Sequence, residues 1–330
     1  MFLYSIRGAI SVDENKKDCI IEATKSLLSE IISANQLDPS HVLDILFSVT
    51  KDLDDAYPAP AVRMLGYDVP VMCLQEADIK QSLKKCIRVL VRIQSMEPKE
   101  IKHVYLKKAK VLRPDISGLK IAIDGPAGAG KSTVAKELAK RLNIMYVDTG
   151  AMYRAITLKL LEKGVDFHDV GTIVDILRAT EIHMEGDRVY LDGRDVTHDI
   201  RTSTVTSNVS AVASIPEVRS ILVSLQKKIA ERKSVVMEGR DIGTNVLKDA
   251  DLKIYLTSSV EVRAKRRYDE LKRKGIDMDF DQLVRQITER DQQDASREHS
   301  PLKKADDAYV IDASDMTVDE VVARILELLR

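Results

Sequence analysis

The segment Gly125-Pro126-Ala127-Gly128-Ala129-Gly130-Lys131-Ser132, followed by Thr133, fits the pattern G-x-x-x-x-G-K-[ST] at every position. It follows an apolar run at 119–124 and opens a helical pattern, the context in which such a loop cradles phosphate. The glycines let the backbone wrap a β-phosphate, and the loop and helix-start N–H groups face anionic oxygens. Lys131 would place a point charge on the β/γ-phosphates and Ser132 would ligate Mg²⁺, which makes this an ATP or GTP site. The loop alone does not separate kinases from GTPases or ATPases. The absence of an Asn-Lys-x-Asp motif disfavours a GTPase, and dispersed arginines favour a kinase. Arg154 ends Asp148-Thr149-Gly150-Ala151-Met152-Tyr153-Arg154, and Arg240 sits in Glu238-Gly239-Arg240-Asp241-Ile242-Gly243-Thr244. Arg290, Asp294 and Arg297 fall at i, i+4 and i+7, on one helical face. A charged face is by itself more often a solvated one, but phosphoryl transfer needs cations spread around the phosphate.

Residues 1–115 carry no phosphate loop, metal-ligand spacing or Ser-His-Asp arrangement. They do carry Arg7 in Ile6-Arg7-Gly8-Ala9, Arg63 in Ala59-Pro60-Ala61-Val62-Arg63, and Cys73-Leu74-Gln75-Glu76. Arg88 lies in Lys84-Lys85-Cys86-Ile87-Arg88-Val89, Tyr105 in His103-Val104-Tyr105-Leu106, and Arg113 in Val111-Leu112-Arg113-Pro114-Asp115. Taken singly, a strand arginine is more often solvated.

Positioning these groups takes two α/β units. In the first, strands are expected at 2–10, 41–49, 69–74 and 86–93, with an amphipathic helix at 14–33. Over 86–93 the alternation puts Ile87, Val89, Val91 and Ile93 on a core face and Cys86, Arg88, Leu90 and Arg92 on the other. Arg88 therefore points at solvent, a partner subunit or a site. Pro114-Asp115-Ile116-Ser117-Gly118 breaks all periodicity and marks a seam, so the expected domains are 1–115 and 119–330 with a linker at 116–118. After it, strands at 119–124, 145–147, 234–237, 252–256 and 308–311 alternate with helices at 131–142, 149–163 and 318–329. That spacing argues for a parallel sheet covered on both faces, with a small hairpin insertion at 181–196.

Composition bounds the partners. At 330 residues with 51 basic and 52 acidic side chains, the chain has no bulk charge for DNA, RNA or a lipid surface. Trp is absent and aromatics are 4%, too few for base-stacking platforms. Cys19, Cys73 and Cys86 form no CxxC pair, no apolar run approaches the ~20 residues of a membrane span, and the N-terminus lacks a secretory pattern. A reducing, cytoplasmic setting is expected.

On the phosphate loop, the Asp148–Arg154 segment, the Gly239–Thr244 segment, Glu289-Arg290-Asp291 and Ser300-Pro301-Leu302, residues 119–330 resemble bacterial-type cytidylate (CMP) kinases. The resemblance implies ATP and Mg²⁺ as co-substrate and cofactor, and CMP or dCMP held by Thr149, Arg154, Ser210, Arg219, Arg240 and Asp241. Arg154 and Arg219 suit the phosphate; Ser210, Arg240 and Asp241 suit the base and sugar. A monophosphate-binding region at about 151–215 and a lid at about 263–300, bearing Arg290, Asp294 and Arg297, are also implied. Glu238 stands where members of that family often carry Asp, and no other acidic residue is a clear Walker B candidate.

The set in residues 1–115 resembles the trimeric α/β-barrel class of chorismate mutase. Arg7, Glu76, Arg88, Tyr105 and Arg113 match its functional positions, with Tyr57, Arg63 and Cys73 lining the pocket. The resemblance implies a homotrimer with sites between subunits and a pericyclic rearrangement of chorismate that needs no cofactor. Pro60 replaces a basic residue found in relatives. The rival readings are a non-catalytic oligomerisation or metabolite-sensing first unit, and a second unit acting as an ATPase or as a kinase for another small substrate.

Overall fold

Period-two alternation builds the first sheet, and one face of it is spoken for by a helix. The structure, a computed structural model, describes residues 1–231, 233–273, 275, 278–296 and 301–329. It contains two compact units, one centred on Met1–Leu119 and the other on Lys120–Leu326.

The first unit runs β1 (Phe2–Ser11), α1 (Lys17–Asn35), β2 (Val42–Val49), α2 (Pro60–Met64), β3 (Val71–Gln75), β4 (Cys86–Ser95) and β5 (Val104–Leu106). Its five strands lie in the order β3-β2-β4-β1-β5. β4 is antiparallel to β1 and β2, while β1–β5 and β2–β3 pair in parallel. Ile6, Phe47, Ile87, Val89, Val91 and Ile93 are buried with Ile20, Leu27 and Ile31 of α1. α1 approaches closely at Gly8, where a Cβ would lie 2.7 Å from Ile31 Cδ1. The expected helix start at 14 moves to Lys17 because Asn15 is tied to Asp54, its Nδ2 donating at 2.7 Å, and the Lys17 amide donates to Asp55. The short α2 and β5 escaped periodicity; Pro60 begins α2, a position where its missing N–H costs nothing.

The opposite face of the sheet follows from register. Ala9 pairs with Arg88, Arg7 with Leu90, Ser48 with Arg88 and Ala9 with Tyr105. Arg7, Arg88 and Tyr105 therefore share the face turned away from α1, as the alternation over 86–93 required.

The second unit holds β6 (Lys120–Asp124), α3 (Lys131–Leu142), β7 (Met145–Asp148), α4 (Thr149–Glu162), α5 (Val170–Arg178), β8 (Ile182–Glu185), β9 (Arg188–Leu191) and β10 (Arg194–Asp195). It continues through α6 (Ser203–Ser214), α7 (Pro216–Glu231), β11 (Val235–Gly239), β12 (Leu252–Thr257), α8 (Val260–Arg273), α9 (Phe280–Ala295), β13 (Tyr309–Asp312) and α10 (Val318–Leu329). The main sheet is parallel throughout, in the order β13-β12-β6-β11-β7, and the insertion at 181–196, expected as a hairpin, adds a third short strand to form the sheet β10-β9-β8. β6 lies between β11 and β12, so the loop leaving it opens at a crevice beyond the carboxyl ends of the strands.

Gly125 makes that exit possible. Its φ is +148°, and a Cβ would lie 1.9 Å from the Leu256 carbonyl oxygen. Gly125→Ala is expected to weaken ATP binding by about 10-fold or more, since forcing such backbone costs about 1–3 kcal/mol. Equilibrium titration with ATP checks this; affinity within about twofold of wild type would show that the loop tolerates the side chain.

Candidate active sites

Two clefts of the second unit meet at the phosphate loop. The smaller, about 280 Å³, is lined by Lys131 and Ser132 and by the sequence-predicted Thr149, Arg154, Ser210, Arg219, Arg240, Asp241, Arg290 and Asp294. The larger, about 1100 Å³, shares Gly128, Ser132, Arg154 and Arg290 and extends along Thr133, Lys136, Arg263 and Arg267. Gly125, Pro126, Ala127, Ala129 and Gly130 complete the loop between β6 and α3. Arg297 and Ser300 lie outside the described residues.

Three arginines of the smaller cleft, Arg154, Arg219 and Arg240, are held by carboxylates. Arg219 donates to Asp241 at 2.6 Å, both nearly fully buried, and its guanidinium lies 5.6 Å from the Tyr153 ring centre. Arg240 donates to Asp294 on α9 at 3.1 Å, and Arg154 to Asp148 at 2.9 Å. Asp148 also caps α4 by accepting the Ala151 amide at 2.8 Å. The Thr149 hydroxyl donates to the Glu238 carbonyl at 2.7 Å, fastening the start of α4 to the end of β11.

Lys131 is fully buried and donates to the Pro126 carbonyl at 2.9 Å. Burial first, and the Arg240 charge second, pull its ammonium down to about 7. The Ser132 hydroxyl and the Tyr146 hydroxyl, the latter at 3.1 Å, both donate to Glu238 Oε1. Burial and then the Asp148 charge push the Glu238 carboxyl up. Glu238, singled out in the sequence for its place before Gly239-Arg240-Asp241, thus meets the predicted Mg²⁺ ligand, and Asp148, given no site role from sequence, lines the same cleft. Arg263 was also missed: it donates to the Ala127 carbonyl at 3.1 Å and pairs with Asp291 on α9 at 2.7 Å. Its only sequence signal was the run of arginines Arg263, Arg266 and Arg267.

In the first unit, a cavity of about 440 Å³ opens on the face turned away from α1, lined by Arg7, Arg88, Tyr105 and Arg113 with Ser48 and Leu74. Arg88 pairs with Glu76, whose other oxygen accepts the Ser48 hydroxyl at 2.7 Å. Arg113 is held by Asp115 through two bonds, at 2.9 and 2.7 Å. The Arg7 amide donates to His103 Nδ1 at 3.2 Å, and burial with the Arg7 and Arg113 charges keeps that imidazole below its usual range.

Tyr57, Arg63 and Cys73 do not line this cavity within one chain. Tyr57 is 73% exposed, and Arg63 is exposed on α2. Cys73 pairs with Phe47 and packs with the core, on the opposite face from Arg88; it is Leu74, one residue on, that faces the cavity. Burial raises the Cys73 thiol, and pushes Cys86 up to about 12.

A glycine-rich phosphate loop at the head of a parallel sheet, facing carboxylate-held arginines, defines a P-loop phosphotransferase in the second unit. Residues 121–330 match the family model described as cytidylate kinase, and the chain belongs to that family. Residues 3–116 match the model described as chorismate mutase type I, so the chain carries both domains. Over 212 residues it is 54% identical to a cytidylate kinase of Caldanaerobacter subterraneus subsp. tengcongensis, covering 64% of this chain and 95% of that protein. A cytidylate kinase of Alkaliphilus oremlandii is 51% identical over 212 residues, with 64% and 98% covered. Among solved structures, a chorismate mutase from Clostridium thermocellum is 44% identical, with 33% of this chain and 98% of that chain covered and a TM-score of 0.32.

The depressed Lys131 ammonium has a measurable consequence. Above about pH 7 the empty site favours neutral lysine, whereas bound phosphates favour the ammonium, so ATP binding at about pH 8 is expected to take up a proton. ATP affinity then falls as pH rises from about 7 to 9. Calorimetry in buffers of different ionisation enthalpy reads this directly; a binding enthalpy independent of buffer would contradict it.

Proposed function

We propose that the chain is a bifunctional enzyme: its second unit transfers the γ-phosphoryl group of ATP to CMP or dCMP, and its first unit rearranges chorismate to prephenate. What carries the reading is the convergence of placed cations on two separate cavities, each sized for a small anion.

In the kinase, the smaller cleft holds the monophosphate and the larger the triphosphate. Arg154 and Arg219 bind the CMP phosphate, while Ser210, Arg240 and Asp241 read base and sugar. Lys131 and Arg290 meet the transferring phosphoryl group from two sides, where charge spreads over its oxygens. Arg290 and Asp294 on α9 bring the lid side of the site. The donor set fits Mg²⁺: the Ser132 hydroxyl with Glu238 beside it and Asp148 in the same cleft are hard oxygen ligands. Among the described residues no cluster of three or more His, Cys, Asp or Glu could hold a metal alone, as expected where triphosphate oxygens supply the remaining ligands. Bound there, Mg²⁺ would neutralise charge on the β- and γ-phosphates.

In the mutase, chorismate brings two carboxylates and an ether oxygen that gains negative charge as its C–O bond breaks. Arg7, Arg113 and Tyr105 hold carboxylates and keep the substrate folded. Arg88, fixed on a central strand and oriented by Glu76, points its charge at the ether oxygen and favours the transition state over the ground state. Glu76 meets the ring hydroxyl and the positive charge developing on the ring. Tyr57 and Arg63 sit exposed and away from the chain's own cavity, which is consistent with a homotrimer whose neighbouring subunit closes each site, whereas Cys73 packs with its own core. No helix among the described residues is long and apolar enough to cross a membrane, and three free thiols suit a cytoplasmic setting.

Arg88→Ala is expected to lower the mutase kcat by about 10²–10³-fold. Near-normal chorismate turnover by the purified variant would remove Arg88 from this role. With ATP and a panel of nucleoside monophosphates, CMP and dCMP are expected to be the preferred acceptors; equal use of AMP or shikimate would overturn the assignment of the smaller cleft.

A further inference from the structure

We infer that Asp124, the last residue of the strand leading into the phosphate loop, is a positioning residue for the other substrate, the nucleoside monophosphate. The inference rests on the kinase reading above. Asp124 is 4% exposed. Its Oδ1 accepts the Ile242 amide at 2.8 Å and its Oδ2 accepts the Gly243 amide at 2.7 Å. Those two amides directly follow Arg240 and Asp241 in the chain. On the near side of the same pair, Gly239 of β11 is in register with Asp124 on β6. One residue thus holds both ends of the segment 239–243, by strand pairing at one end and by its carboxylate at the other.

Between these two fixings the functional side chains diverge. Arg240 reaches Asp294 on α9, whereas Asp241 accepts from Arg219 on α7 at 2.6 Å and from Asn245 at 3.1 Å. Their separation is set by the turn that the two amides close. The segment has little room to find another path: a Cβ on Gly239 would lie 2.6 Å from Thr149 Oγ1, and one on Gly243 would lie 3.3 Å from Asp124 Oδ2. Amide bonds to a carboxylate are charge-assisted and short, so this is a stiff attachment. Burial lifts the Asp124 carboxyl to about 6, which still leaves both oxygens as acceptors at neutral pH. The course of the phosphate loop is set by Gly125 and by the start of α3, and Asp124 acts on it through its charge beside Lys131 rather than by holding its backbone. An asparagine at 124 keeps the shape but turns an NH₂ toward one amide, donor against donor, and frees one end of the turn.

The test uses the full chain carrying Asp124→Asn, with Asp124→Ser measured beside it so that misfolding of one variant does not decide the matter. The KM for CMP at saturating ATP is expected to rise at least about 10-fold, in line with the cost of misplacing a substrate-orienting group, while the KM for ATP, touched only through the charge beside Lys131, rises several-fold less. Calorimetric titration with CMP should show the same loss without turnover. Chorismate turnover in the same preparation serves as the control for overall folding. A CMP KM within about twofold of wild type, or equal rises for CMP and ATP, overturns the inference. Failure of the wild-type chain itself to phosphorylate CMP would instead sink the kinase reading.

Discussion

Positive charge gathered into a small cleft is answered by nearby carboxylates before any substrate arrives, and this recurs in how both sites are built. An isolated charge carried out of water costs several kcal/mol, and a buried arginine cannot escape by losing its proton. The chain meets the constraint by giving its arginines carboxylate partners: Asp241 for Arg219, Asp294 for Arg240, Asp148 for Arg154, Glu76 for Arg88 and Asp115 for Arg113. Lys131, also buried, is met by the Pro126 carbonyl and by a pull toward the neutral form. An anionic substrate then enters a site whose cations are already oriented, so little reorganisation remains for the reaction.

The two units reach this arrangement by different backbone routes. In the second, parallel strands all end on one side, and the residues that matter follow those ends: the phosphate loop after β6, Asp148 at the end of β7, and Arg240 and Asp241 after β11. In the first, the residues lie along the strands, and the pleat sorts them. Because α1 occupies one face, every second residue of β1 and β4 is left to line the other, and Arg7 and Arg88 fall there together.

How much of this could be read in the sequence depended on distance along the chain. The phosphate loop was fully legible, because its pattern, the strand before it and the helix after it are contiguous. The parity of β4 was legible too, since Ile87, Val89, Val91 and Ile93 are all core residues. The same parity, applied to β3, places Cys73 with the core, but no alternation strong enough to reveal it exists in so short a strand. Alternation put Arg88 on the open face of its strand and helical spacing put Arg290 with Asp294, but the roles of the arginines came from resemblance to families. Contacts between groups far apart in the chain were harder. Glu238 meets Ser132 from 106 residues away, Arg263 reaches Ala127 across 136, and Asp124 holds amides 118 and 119 residues on. Only the folded sheet brings such pairs together, and nothing in either local sequence announces the other.

The proposed function gives one chain two chemistries with opposite demands: phosphoryl transfer, which would use Mg²⁺ beside Ser132 and Glu238, and a pericyclic rearrangement that would need no metal. The most direct measurement follows CMP phosphorylation and chorismate loss in one preparation of the full chain, with and without EDTA. The account predicts both activities in buffer containing Mg²⁺, with phosphorylation abolished by EDTA and chorismate loss unchanged. Absence of either activity with Mg²⁺ present, or loss of both on chelation, would contradict it.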